Sequence, residues 1–172
     1  PQWWYRTTDA EKIALGLVKV DDPAPYDNRF YWDANTAKAI DDVNETWSQA
    51  EIDAGDAPAN TSAGDAKLDG DGNQIVTKGL KSQYKTQTKE TAASLLAPTD
   101  WYVVRKSEDS TATIPSDVST YRAAVRTKSG TIETAIDGAA DHAAFMALFD
   151  VPTDDDGNPT GNAPINDWPD EI

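Results

Sequence analysis

The sequence predicts an α+β protein: a small N-terminal sheet with a short helix, a β-hairpin, then a helical C-terminal half with extended acidic arms. Three observations lead there. Short aromatic runs suited to strands, Trp3-Trp4-Tyr5 and Arg29-Phe30-Tyr31-Trp32, lie near the start. A cluster of turn formers, Asp69-Gly70-Asp71-Gly72-Asn73, separates two short β-like segments. From Leu80 onward, apolar residues recur at spacings of three and four, the period of a helix buried on one face.

Each element follows from local chemistry. Thr8 with Glu11 three residues later has the spacing of a capping box, predicting a helix from about Asp9 to Leu15 that buries Ile13 and Leu15 and ends at Gly16. Leu17-Val18-Lys19-Val20 reads as a strand, Asp21-Asp22-Pro23-Ala24-Pro25 breaks the pattern, and Arg29–Trp32 resumes it. Between Asp41 and Asp65 only Trp47 and Ile52 are sizeable apolar anchors, so a long loop or insertion is expected. Ala66-Lys67-Leu68 and Gln74-Ile75-Val76-Thr77 flank the turn cluster as the arms of a hairpin. The clearest helix places Leu80, Tyr84, Thr88, Thr91, Ala92, Leu95 and Leu96 at spacings of three and four, with Lys81, Lys85 and Lys89 on another side. It should stop near Ala97, because Pro98 disfavours helical geometry in the residue before it.

Trp101-Tyr102-Val103-Val104 then reads as a strand. Ser116, after Pro115, is the expected cap of a second long helix with Val118, Tyr121, Ala124 and Val125 on one side. Gly130 is an expected break, with Ile132, Ala135 and Ile136 able to continue the helix beyond it. Ala143 through Phe149 predicts a last helix, ended by Pro152. Three regions result: a small α+β N-terminal region with an acidic insertion (1–65), a hairpin plus helical region (66–149) and an extended acidic arm (150–172). No internal repeat is expected.

Composition narrows the function classes. On the usual counting about 40% of the residues are apolar, below the globular norm of about 45–50%, so part of the chain lies outside any core. A net charge of −15 opposes docking on nucleic-acid phosphates or anionic lipid, and no apolar stretch is long enough to span a membrane. The start lacks the basic end and apolar stretch of a secretory signal, which predicts an unexported soluble chain. The charge is segmented: residues 1–77 carry a net −9, residues 78–129 a net +4, and residues 130–172 no base and 10 acids. Solvated acidic faces around an ordinary Lys-rich helix are the simplest expectation, and engagement of a partner the other.

No residue pattern selects catalytic chemistry. The absence of Cys removes thiol nucleophiles and cysteine metal sites, and His142, the single histidine, lies beside Ala143 and Ala144 with no nucleophile near it in sequence. Asp69, Asp71 and Asn73 resemble the opening of a calcium loop, but Gly72 is misplaced and Leu80 stands where the bidentate acid belongs. A hairpin turn is the expected reading there, and solvated carboxylates at Asp154-Asp155-Asp156. No catalytic residue, metal site or cofactor is therefore assigned, and the chain is expected not to be an enzyme. Six Trp and six Tyr are the remaining resource, able to bury large area in a thin core or an interface. Trp32 and Trp101 are expected in the core; Trp3, Trp4 and Trp168 are candidate partner-binding residues.

The segment Leu95-Leu96-Ala97-Pro98-Thr99-Asp100-Trp101, followed by Tyr121-Arg122-Ala123-Ala124-Val125-Arg126, resembles a pattern of bacteriophage tail-fibre assembly and tail-assembly-chaperone-like proteins. In that pattern a helix ends in L-L-x-x-T-D-W and a linker leads to Y-R-x-x-[LIV]-R. The likeness covers roughly residues 76–126. A weaker one joins Leu15-Gly16-Leu17-Val18 and Arg29–Trp32 to the front part of small phage tail proteins. The resemblance implies a non-enzymatic tail protein, a structural or accessory component of the tail, baseplate or fibre attachment acting by protein contact. A transient fibre-assembly chaperone absent from the mature virion is the alternative. The implied partners are phage tail, baseplate or fibre proteins or a second copy of the chain, without nucleic acid or membrane, and the implied location is the virion tail, assembled in the host cytoplasm. Arg122 and Arg126, four apart on one helix face, join the partner-binding candidates, each able to pair within the chain or with the partner. Removal of everything after Phe149 is expected to leave the fold intact.

Overall fold

The computed structural model describes residues 7–18 and 24–172. The expected strands at Trp3–Tyr5 and at Lys19 and Val20, and the break at Asp21–Pro23, lie outside the described residues. The architecture is α+β, with two small antiparallel sheets of two strands each and a helical half. The chain forms two compact units, residues 1–37 and 38–172.

In the first unit, helix α1 (Asp9–Ala14) begins as predicted. The Thr8 side chain accepts from the Glu11 amide, the Glu11 carboxylate accepts from the Thr8 amide at 2.8 Å, and Gly16 takes a positive φ of 80°. The expected burial fails: Ile13 is 59% and Leu15 66% exposed. Six residues form a helix too short to present a continuous apolar face, and the caps, rather than burial, hold it. Leu17 and Val18 form no strand. Strand β1 (Tyr31–Asp33) starts later than expected, because the Asp27 carbonyl takes the amides of both Phe30 and Tyr31 in a turn. It pairs with β2 (Thr36–Ala37), and the Asp33 carboxylate closes the hairpin by accepting from the Asn35 and Thr36 amides. Trp32, expected in the core, is exposed.

The second unit opens with the stretch expected as a loop, which is structured. Strand β3 (Val43–Asn44) pairs with β4 (Val76–Thr77), and α2 (Gln49–Ala54) carries a second capping box, Ser48 with Glu51. The hairpin around Asp69–Asn73 forms, with Leu68 opposite Gln74. Three segments close into a ring: the Glu45 amide donates to the Ile75 carbonyl, that of Ile75 to Lys67, and that of Lys67 to Glu45. All three carbonyls also converge on the Gln74 side-chain amide, at 2.7–3.2 Å, so one polar side chain occupies the ring's centre. A ring of this kind substitutes hydrogen bonding for the apolar core that the segment's composition cannot supply.

Asp69-x-Asp-Gly-Asn73 recurs at Asp154-x-Asp-Gly-Asn158, and the two turns are alike, a repeat that the sequence reading did not anticipate. In each, the first Asp Oδ1 accepts from the amides two and four residues on, its own amide donates to the Asn carbonyl, and the Gly has a φ near 85°. These bonds favour the ionised form and hold both carboxyls below the usual carboxylate range.

Helices α3 (Leu80–Leu96) and α5 (Ser116–Gly138) pack together as the main body. Val125 and Ile136 are wholly buried, with Leu80, Val118, Tyr121 and Ile132 close behind. Helix α6 (His142–Ala147), capped by the Asp141 side chain, adds Phe145, whose ring meets Tyr84 edge-on at 5.6 Å; Phe149 meets Tyr84 at 4.9 Å. Ser116 is not the cap of α5: Pro115 holds that position without a side-chain bond, and Ser116 is the first helical residue. The helix also runs unbroken through Gly130. A mid-helix glycine costs about 1 kcal/mol, less than the burial of Ile132 and Ile136 beyond it returns.

Trp101–Val104, expected as a strand, belongs to helix α4 (Asp100–Glu108), entered through a single 3-10 turn, Ala97–Thr99. Pro98 does end α3, as expected. The chain then restarts a helix, with Asp100 in the first turn and Arg105 and Lys106 in the last, charges that suit the helix dipole. Among the described residues, no strand lies alongside to reward the β preference of these residues.

The basic face of α3 is answered by the chain's own acids. Lys78 pairs with Asp42, Lys81 with Asp41, Lys85 with Asp137 and Lys89 with Glu133, at 2.7–3.4 Å. Hydrogen bonds from Lys78, Ser82 and the Gly79 amide hold the Asp42 carboxyl at about 2. Lys67 and Ser48 do the same for Glu51, also to about 2. Both folded values lie below the unfolded ones, so the stabilisation is complete above the ordinary carboxylate range and is lost as pH falls from about 4 to about 2. The thermal midpoint should therefore stay level from neutrality into mild acid and drop across that window. Asp42→Asn should lower the midpoint at neutral pH and shrink the acid drop; an unchanged acid profile would remove Asp42 as its source.

Candidate functional site

Leu95, Leu96, Thr99, Asp100, Tyr121 and Arg122 meet in one place. Where α3 gives way to α4, the Arg122 side chain of α5, only 7% exposed, reaches across. Its Nη1 donates to the Leu96 carbonyl at 3.0 Å and to Thr99 Oγ1 at 2.6 Å, and its Nη2 lies 2.8 Å from Asp100 Oδ1. Thr99 Oγ1 itself donates to the Leu96 carbonyl. One guanidinium thus satisfies the carbonyl end of one helix and the acidic start of the next, a use of Arg's planar fork that Lys cannot copy. The neighbouring Tyr121 hydroxyl approaches the Leu95 carbonyl at 3.4 Å, and burial pushes this phenol's pKa up. Arg122 Nε is buried with no acceptor among the described residues.

This knot presents α4. None of that helix's nine residues is buried. Trp101 is 51% and Val104 55% exposed, with Val103 beside them. The rings of Trp101 and Tyr102 stack with centroids 3.7 Å apart. A rigid aromatic pair with branched aliphatic neighbours, held on a helix whose root is tied by buried hydrogen bonds, can bury a large area against another protein at small entropic cost. Trp101 is therefore a surface group and not the core group expected.

The partner-binding candidates separate. Arg122 is committed inside the chain and is not available to a partner, whereas Arg126, one turn along, is exposed and donates weakly to the Arg122 carbonyl at 3.3 Å. Trp168 is half-buried on Ala92, Tyr121 and Val125, beside Leu95 and Leu96. Trp3 and Trp4 lie outside the described residues. Among the described residues, no three metal-ligating side chains cluster.

Val103 and Val104, with the half-buried Tyr102, are the residues of this surface that reading the sequence missed. Pro98 at a helix start, Asp100 following it and the bases near the end were the signals that could have found them. Compared with protein-family models, curated proteins and solved structures, the chain matches none.

Proposed function

We propose that this chain is a non-enzymatic bacteriophage tail protein, a structural or accessory component of the tail, baseplate or fibre attachment that works by protein contact. The observation that carries the reading is α4: a helix with no buried residue, displaying Trp101, Val103 and Val104 from a root tied by Arg122. An apolar display of this kind is characteristic of surfaces that another protein covers. The phage assignment rests on the resemblance of Leu95–Trp101 and Tyr121–Arg126, the same residues that build the root.

The test is quantitative mass spectrometry of purified, washed virions against the major tail proteins. The expected result is a fixed whole-number stoichiometry, and a several-fold loss of incorporation for Trp101→Ser/Val104→Ser with the helical circular-dichroism signal retained. Abundance in the infected-cell lysate with absence from particles would overturn the built-in role in favour of an assembly chaperone. Unchanged incorporation of the double variant would remove α4 as the contact.

A further inference from the structure

We propose that the surface presented by α4 takes an acidic partner: a segment of another protein that carries carboxylates beside apolar side chains. This rests on the contact role of α4 and adds the chemistry of what covers it. The chain has 30 acids and 15 bases, so every base could have a carboxylate of its own. Six of the nine bases in residues 78–129 do. They are the four lysines of the α3 face, Arg122 on Asp100, and Lys128 on Asp167. The last pair lies in the segment expected as a free arm; Ile165 and Trp168 instead seat that segment on the core, so truncation after Phe149 should destabilise the fold.

The three bases left over are Arg105, Lys106 and Arg126. All are exposed, and among the described residues none forms an ion pair. Lys106 and Arg126 donate only to backbone carbonyls, those of Ser110 and Arg122. Their positions converge on the apolar display. Arg105 and Lys106 belong to α4 itself, Arg105 one turn from Trp101 and adjacent to Val104. Arg126 lies one turn along α5 from Arg122, on the face that reaches the root of α4. The nearby acids do not offset them. Asp100 is neutralised by Arg122, Asp109 accepts from Thr111 in the turn beyond the helix, and Glu108 is a single negative charge against three positive ones. The helix dipole accounts for bases in the last turn of α4 but not for Arg126 in the middle of α5.

Outward-facing positive charge around exposed Trp and Val side chains, on a chain with a net charge of −15, sets two requirements for what covers it. Apolar groups must bury Trp101 and Val104, and carboxylates at the rim must meet the three bases, fixing orientation and rejecting other partners. A second copy of the chain fits poorly, because two bodies of this charge repel one another before their surfaces meet. The partner's acidity is therefore local to its contact patch.

A carbodiimide joins an amine to a carboxylate only where the two touch, so Lys106 reports the partner's charge directly. Infected cells and washed virions are treated with it, and the joined peptides are located by mass spectrometry. The expected product links Lys106 to an Asp or Glu of another protein, and Trp101→Ser/Val104→Ser should abolish it. Arg105→Gln/Lys106→Gln/Arg126→Gln, with the helical circular-dichroism signal retained, should lower recovery of the complex about tenfold. Lys106 joined only within its own chain or to a second copy would overturn the proposal, as would undiminished recovery of the triple variant. The tail reading fails separately. A link from Lys106 to another protein's carboxylate in cells, with the chain absent from particles, would remove the tail location and leave the acidic partner in place. Fixed stoichiometry in particles with the triple variant incorporated as well as the unaltered chain would do the reverse.

Discussion

Gly79→Ala should lower the stability of the helical unit by about 3 kcal/mol, at the upper end of what overpacking costs, as read from the urea midpoint. A Cβ on Gly79 would stand 2.3 Å from the Asp41 carbonyl oxygen, 2.4 Å from its carbon and 2.7 Å from the Ile40 oxygen. These are backbone atoms and cannot rotate aside. They are also fixed by function: the Gly79 amide donates to Asp42 Oδ1, that of Leu80 to the Ala39 carbonyl and that of Lys81 to the Ile40 carbonyl, each at 2.9 Å. The first amides of α3, which no helical carbonyl can satisfy, are thus capped by residues 39–42. A methyl group forces that segment away and strips the cap with it. Gly79 has an ordinary φ of −75°, so the cost is steric and not conformational. Gly130→Ala is the matched control. It sits within α5 with open space around it, and alanine there should stabilise by about 0.5–1 kcal/mol. Equal effects at the two glycines would show that residues 39–42 do not press on α3 in solution.

Arg122→Ala should cost about 2–4 kcal/mol and release α4 before the rest of the unit. The loss comes mostly from the buried half of the interaction: Thr99 Oγ1 loses its donor, the Leu96 carbonyl keeps only the Thr99 hydroxyl, and the space of a long side chain is left empty. The ion pair contributes less, because the Asp100 side chain is largely exposed and screened by water. Arg122→Lys should recover less than half of the loss, since one ammonium cannot reach all three acceptors. Hydrogen exchange separates local from global effects. The amides of residues 100–108 should lose protection well beyond those of 118–136, and uniform loss across both helices would refute the role of Arg122 as the tie at the root of α4.

Local rules reached far into this fold where the chemistry was itself local. The Thr8–Glu11 box, the Asp69–Asn73 turn, the extent of α3 and its stop before Pro98 all depend on residues within a few positions of each other, and all are found. Ser48 and Glu51 carry the same box spacing, yet the scarcity of apolar residues around them suggested a loop; hydrogen bonding to Lys67 and to the ring of segments supplied what burial did not. α4 was lost for the opposite reason. Trp, Tyr and Val favour strands, but a strand needs a neighbour, and that is information held elsewhere in the chain. The Arg122 knot joins residues 23 and 26 positions apart in sequence. Its parts were visible as a pattern, while their mutual distance required the packing of α5 on α3.

The cap on α3 and the β3–β4 pair together bring residues 39–44 and 76–81 side by side. Everything between Asn44 and Val76, including α2, the ring and the Asp69 turn, therefore leaves the body and returns to it at one point. Such an excursion has its loop-closure entropy settled at the neck, whatever its contents. The helical body is in this sense a socket and the excursion a cartridge. A foreign peptide spliced between Asn44 and Val76 would be held at the mouth of α3, while the core formed by Val125, Ile136 and Phe145 stayed as it is.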